Sequence, residues 1–243
     1  MNRFFVNKNL IANGTLYIVG EDLHHMVKVL RLKRGDPVEL CDGLGMEYKA
    51  IIEGVTSESA LLRITHSEES AAEPTYRVTL FQCLPKQDKM ELIIQKCVEL
   101  GVYEIVPALS KRCIARTKDE SSESKRIARY NRIAYEAAKQ SKRGVVPRVS
   151  ECVSLTGCDI SKFDLSVVAY EEEREVTLKG VLSKNQDAGS IAVFIGPEGG
   201  FEWDEIQLLK RMGAVTVTLG NRILRTETAG MAALSMIEYH FSS

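Results

Sequence analysis

From Tyr76 to the end of the chain, short β-branched or apolar runs alternate with stretches patterned for helices, and this alternation leaves few folds open. Tyr76 to Cys83 is β-branched and aromatic. Residues 86–100 then place Met90, Ile93, Ile94, Cys97 and Val98 on one helical face, and Gly101 suits the stop. The pattern continues through an apolar run from Tyr103 to Pro107 and a long helix over residues 121–142. Further apolar runs fall at Leu165 to Ala169, Ile191 to Ile195 and Val215 to Leu219, with helical patterns near 175–184, over 202–212 and over 228–240. A strand followed by a helix long enough to recross a sheet returns the next strand parallel to the first. The expectation is an α/β layered fold with a mainly parallel sheet. Earlier residues read differently: between Leu16 and Ile64 short apolar runs are broken by turn residues, and Asp42-Gly43 between two such runs is a hairpin signal. Ser67 to Pro74 is small and polar and ends in Pro, which suits a boundary between a β-rich domain over 1–70 and an α/β domain over 76–243.

A chain of 243 residues buries an adequate core without disulfide or metal staples. The six cysteines (41, 83, 97, 113, 152 and 158) form no CxxC pair and have no His close enough to suggest a zinc cluster, so reduced, mostly buried thiols and no metal are expected. The first residues lack a basic stretch followed by a long apolar run, and no apolar run approaches a membrane span; a cytoplasmic protein with no membrane partner is expected. A net charge of -1 argues at first against a nucleic-acid partner. The charge is uneven, however. Residues 107–148 hold 12 basic and 4 acidic side chains, a net +8 that includes Lys111, Arg112, Arg116, Arg126, Arg129, Arg132, Lys142, Arg143 and Arg148. The compensating acids lie elsewhere in the sequence, so no ladder within the segment neutralises it. Two readings stand: a solvated helix face, or a surface for an anionic partner.

Two glycine-containing turns stand where a parallel sheet would place chemistry. Ile195-Gly196-Pro197-Glu198-Gly199-Gly200-Phe201 follows an apolar strand and precedes a helix with Glu202, Asp204 and Glu205 at its head and Lys210 and Arg211 at its tail. Neither GxGxxG nor GxxxxGK[ST] is present, and Pro197 removes a backbone donor that a phosphate cradle would use. Such a turn suits an adenosine-like ligand without phosphates, or is simply a tight turn. The second turn, Leu219 to Ala229, carries Gly220, two arginines (Arg222 and Arg225) around Ile223-Leu224, and hydroxyls at Thr226 and Thr228 that cap the next helix. An Arg at a sheet edge binds phosphate or stabilises negative charge developing on a substrate oxygen; the alternative is an ordinary surface ion pair.

Taken together, Gly196-Pro197-Glu198-Gly199-Gly200-Phe201 and Leu219-Gly220-Asn221-Arg222-Ile223-Leu224-Arg225-Thr226-Glu227-Thr228-Ala229 resemble the two cofactor motifs of the RsmE family, bacterial 16S ribosomal RNA uridine-N3 methyltransferases of the SPOUT class. Arg3-Phe4-Phe5-Val6, His24-His25 with Val29-Leu30-Arg31, Asp88-Lys89-Met90-Glu91, and Glu136 to Arg143 also resemble that family's pattern, with Lys139 standing where an acid is expected. The resemblance implies an N-terminal PUA-like β-barrel and a C-terminal SPOUT α/β domain whose last segment forms a deep trefoil knot. It implies S-adenosylmethionine as cofactor, held by Ile195, Gly196, Pro197 and Gly199 of the first turn and Leu219, Gly220, Ile223, Leu224, Arg225, Thr226 and Thr228 of the second. It further implies a homodimer acting on 16S rRNA or the small ribosomal subunit.

Transfer to uridine N3 leaves negative charge on the uracil ring to be stabilised, and Arg225 and Arg143 are the candidates for that role. Glu198 is a candidate proton acceptor, with capping of its turn as the alternative. Arg3, His24, His25, Arg31, Lys33, Arg34, Lys142 and Arg143 are expected to face RNA. Two rival functions fit the same residues: ribose 2′-O methylation of RNA, and a non-catalytic RNA-binding assembly factor.

Overall fold

The computed structural model describes residues 2–113 and 120–242; Arg116 of the basic segment lies outside the described residues. The chain divides into two compact units, one of Met1–Glu73 with Ala138–Val146, the other of Pro74–Ala137 with Pro147–Ser243. The return of 138–146 to the first unit is absent from the sequence reading, because the contact that makes it, Glu73 accepting from Gly144 and Val145, joins residues 71 and 72 positions apart.

In the first unit the elements run β1 (Arg3–Phe5), β2 (Thr15–Ile18), α1 (Gly20–His24), β3 (Pro37–Cys41), β4 (Met46–Val55) and β5 (Ala60–Glu69). They form one five-stranded sheet in the order β1-β3-β4-β5-β2. The Asp42-Gly43 signal does make the hairpin between β3 and β4: Asp42 Oδ1 accepts from the N–H groups of Leu44 (2.8 Å) and Met46 (3.0 Å), and Gly43 and Gly45 take positive φ. Alternate residues Val38, Leu40, Ala50, Ile52, Ala60 and Leu62 turn inward onto Phe4, Leu16 and Met26. A widened π turn over His25–Val29 continues α1 and brings Met26 into that core.

The second unit follows as β6 (Arg77–Cys83), α2 (Lys89–Glu99), β7 (Glu104–Leu109), α3 (Glu120–Gln140, its last turn in the first unit), β8 (Arg148–Val149), β9 (Val153–Ser154), β10 (Leu165–Ala169), α4 (Leu178–Leu182), β11 (Ser190–Ile195), α5 (Trp203–Met212), β12 (Val215–Val217) and α6 (Thr226–Phe241). The sheet order is β12-β10-β11-β6-β7-β8, with β9 also on β7, and every pairing in it is parallel. Ile191 to Ile195 of β11 are each at most 2% exposed, so this strand is covered on both faces, as a central parallel strand must be. Phe194 stacks on Phe81 of β6 with centroids 4.4 Å apart.

Helix α2 buries the five residues its periodicity assigns to one face, and Gly101 beyond it takes φ +88°. Helix α5 starts where acids are concentrated: Glu205 is buried, its Oε2 accepting from the Glu202 N–H and its Oε1 from the Lys111 N–H, both at 2.8 Å. Helix α6 buries Leu234 and Ile237 together with the small residues Ala229, Gly230 and Ala233, which let it lie close on β6, β11 and α2. No helix among the described residues is long and apolar enough to cross a membrane. All six cysteines are free thiols, five of them buried.

Candidate functional site

Strands β12, β10 and β11 are neighbours, so their carboxyl ends open side by side, and the chain leaves each of them through a loop rather than a tight hairpin. The three loops wall a cavity of about 420 Å³, within the range for small-molecule sites. From the loop after β11 come Ile195, Gly196, Pro197, Glu198 and Gly200. The loop after β12 and the head of α6 give Thr218, Leu219, Gly220, Arg222, Ile223, Leu224, Arg225, Thr226 and Ala229, and the loop after β10 gives Ala169, Tyr170, Glu171 and Arg174. Lys89 of α2 completes the wall. This is the crevice that open parallel sheets present to ligands.

The loops are tied to one another. The Thr218 N–H donates to the Val176 carbonyl (2.8 Å) and the Leu178 N–H to the Thr218 carbonyl (3.2 Å), so the loops after β10 and β12 run together for a step. Thr226, 5% exposed, accepts from Gln82 Nε2 (2.9 Å) and donates to the Gly196 carbonyl (2.6 Å), joining the head of α6 to the turn after β11. A side chain at Gly196 would meet the Phe201 ring at 3.2 Å. Gly200 has φ +71°, and a Cβ there would collide with Glu171 Oε1, so the glycine lets that carboxylate lie against the turn.

Charge around the cavity falls into two sets. Lys89 donates to Glu198 Oε1 at 3.0 Å and lies 3.4 Å from Glu227 Oε2, and the Lys86 N–H donates to Glu198 Oε1 at 3.0 Å. Partial burial pushes the Glu198 carboxyl up, but hydrogen bonds from its own N–H, Lys89 and Lys86 outweigh it and hold the group below its ordinary range. Arg174, Arg222 and Arg225, in contrast, are exposed on the cavity lining and form no ion pair among the described residues.

Most residues assigned to cofactor binding from sequence meet at this cavity. Gly199 and Thr228 are not on its wall: Gly199 packs against the Arg112 side chain, and Thr228 is exposed one turn into α6. Arg143 is not there either. It belongs to the first unit, is 4% exposed, and donates to Glu73 from Nε (3.2 Å) and from its terminal nitrogen (2.5 Å). Glu73 also accepts from the N–H groups of Gly144 and Val145 at 2.8 and 3.1 Å. A buried guanidinium must be paired, and among the described residues the expected catalytic candidate Arg143 has its charge held by Glu73. Arg3, expected to face RNA, is likewise tied within the unit, its guanidinium donating to Glu47 Oε1 (3.0 Å) and to the Arg143 carbonyl (2.9 Å) with the side chain 9% exposed. His24, Arg31, Arg34 and Lys142 are exposed, and His25 is half-buried against Phe4.

The basic segment also needs correction. Acids distant in sequence neutralise much of it: Lys111 pairs with Asp204, Arg112 with Glu202, Arg129 with Glu91, Lys139 with Asp22 and Arg143 with Glu73. Lys125, Arg132, Lys142 and Arg148 are the members that stay exposed without an ion pair among the described residues. Sequence reasoning did not single out Tyr170, Glu171 and Arg174. Their signal was available, since they directly follow a strand whose end at Ala169 the apolar run marks.

The fold and the cavity define the class. Residues 72–238 match the RNA methyltransferase domain family and residues 18–65 the RNA methyltransferase PUA domain family, so the molecule is a PUA-like N-terminal domain joined to a mixed α/β methyltransferase domain. The chain is 36% identical to ribosomal RNA small subunit methyltransferase E of Bacillus subtilis over 98% of this chain and 96% of that protein. The Rickettsia conorii protein of the same name is 30% identical over 97% and 94%. The crystal structure of a ribosomal RNA small subunit methyltransferase E from Neisseria gonorrhoeae bound to S-adenosyl methionine superposes with a TM-score of 0.84 at 31% identity, covering 98% and 97% of the two chains. The chain belongs to the ribosomal RNA small subunit methyltransferase E family.

Proposed function

We propose that this protein methylates N3 of a uridine in 16S ribosomal RNA of the small subunit, with S-adenosylmethionine as donor, in the cytoplasm and as a homodimer. The observation that carries the reading is the composition of the cavity at the ends of β12, β10 and β11. Ile195, Leu219, Ile223, Leu224 and Ala229 offer apolar surface for an adenine and a thioether chain, while Pro197 supplies no N–H and no glycine-rich phosphate cradle is present in the turn. Glu171 on one side and Arg222 on another are the charges that an amino-acid zwitterion requires. The residues present therefore fit S-adenosylmethionine.

When bound, the cofactor supplies an activated methyl group, which leaves the protein to position the acceptor and stabilise its charge. Arg225, exposed on the cavity lining at the N-cap of α6, is the group that faces the uracil carbonyls as the ring becomes anionic. Arg222 and Arg174 add positive charge at the same mouth, where a target nucleotide carries its phosphate. Glu198 is an anchor rather than the proton acceptor: its oxygens are taken by Lys86 and Lys89, and its lowered affinity for protons makes it a poor base. Arg143 holds Glu73 and the backbone at Gly144 and Val145, and no step of the reaction is assigned to it. In the finer architecture, we read the five strands, wrapped around the shared core of Phe4, Leu16, Met26, Leu40, Ile52 and Leu62, as a PUA-like barrel in the first unit. The knotted end is placed in the stretch from the cavity loop after β12 into α6, which packs on β6, β11, α2 and α4.

Calorimetry of the purified protein with S-adenosylmethionine tests this reading, with the mass in solution read alongside. One cofactor per 27.1 kDa protomer in a species of twice that mass is expected. Absence of binding removes the methyltransferase reading and favours a non-catalytic RNA-binding role; binding by a monomer removes the homodimer alone.

A further inference from the structure

Lys89 is the first residue of α2, and the approach to it is strained: Gln87, two residues earlier, has φ +57°, a left-handed backbone that side-chain-bearing residues rarely adopt. On either side of Gln87 stand the two groups that hold Glu198, the Lys86 N–H and the Lys89 ammonium. The ammonium also faces Glu227 in the first turn of α6, whose Oε2 is buried and has no hydrogen bond among the described residues. All three side chains are largely shielded, at 28, 25 and 17% exposure for Lys89, Glu198 and Glu227.

Glu198 belongs to the turn after β11 and Glu227 to the head of α6, two segments that both line the cavity. Beneath them, the Thr226 hydroxyl already joins α6 to the Gly196 carbonyl. One tie fixes a separation between two segments and leaves them free to swing about it, whereas a second tie at another point also fixes their orientation. We propose that Lys89 is a positioning residue for the cofactor, a cationic latch that joins Glu198 to Glu227 and so sets the width of the cavity between the two turns. The proposal rests on the reading of that cavity as the S-adenosylmethionine site. The latch closes without a ligand, so the site is organised in advance and the cost of ordering it is not charged to binding.

The test is calorimetric titration of the full-length protein with S-adenosylmethionine, for the wild type, Lys89→Met, Glu198→Gln and the double variant, with the melting temperature of each free protein. Losing a charge-assisted tie of this kind weakens cofactor binding by about tenfold or more in Lys89→Met. Because both single variants break one linkage, the double variant binds little worse than Lys89→Met, and the free proteins melt close to the wild type. Wild-type affinity in Lys89→Met overturns the latch, as do losses that multiply in the double variant. Should Lys89→Met fail to fold, Glu198→Gln decides alone: weakened binding supports the latch and unchanged binding overturns it. A wild type that binds no S-adenosylmethionine overturns the reading of the cavity itself, an outcome distinct from a wild type that binds while Lys89→Met matches it.

Discussion

Arg225 and Arg143 carry the same guanidinium and end in opposite situations. Arg225 is exposed on the cavity lining at the head of α6, while Arg143 is buried on Glu73, and burial is what separates a charge available to substrate from one committed to the fold. Sequence offers both as cations beside apolar residues. The partner of Arg143 lies 70 positions away, which no local pattern reveals. Arg225→Ala is expected to lower turnover by about 100-fold or more, the scale for removing one preorganised donor from a developing oxyanion, while cofactor affinity changes much less. Single-turnover methylation measured beside calorimetry checks this, and equal losses in both would show that Arg225 serves the cofactor instead. The glycines and apolar residues of the cavity were legible because each does one local thing, turning the chain or lining a wall. Glu198 was not, because its role depends on Lys86 and Lys89, which approach it from another element.

At the scale of elements, the long strands and helices of the second unit follow their periodicity, while the two-residue strands β8 and β9, too short to show a pattern, are absent from the sequence reading. β12 ends at Val217 rather than Leu219, since Thr218 turns aside to pair with the loop after β10. α6 begins at Thr226, two residues before the sequence pattern places it, since the Thr226 hydroxyl is held by Gln82 and in turn holds the Gly196 carbonyl. That hydroxyl is the buried hinge of the site. Thr226→Val keeps the side-chain volume and leaves Gln82 Nε2 and the Gly196 carbonyl each short of a partner. A loss of about 1–3 kcal/mol in unfolding free energy is expected, together with weaker cofactor binding. Denaturant titration and calorimetry measure the two, and an unchanged midpoint with unchanged affinity would show that the α6 head is held by its helix contacts alone.

For the molecule as a whole, net charge and even regional charge proved poor guides to surface field. The +8 segment looks like a binding patch in sequence, yet five of its members are spent on Asp204, Glu202, Glu91, Asp22 and Glu73. The guanidiniums of Arg174, Arg222 and Arg225, in contrast, lie in a stretch whose net charge is negative. Charges pair in space, so only the folded chain shows which of them remain for an anionic partner. The change in pattern near Pro74 is local and visible in the sequence, whereas the return of 138–146 to the first unit depends on Glu73 accepting from Gly144 and Val145, which no local pattern reveals. The central claim, that the cavity serves methylation of a uridine base in 16S rRNA, meets its most direct test in nucleoside analysis of that RNA from cells lacking the protein, before and after its gene is restored. N3-methyluridine is expected to disappear and to return with the gene. Intact N3-methyluridine with loss of a ribose-methylated nucleoside would contradict it.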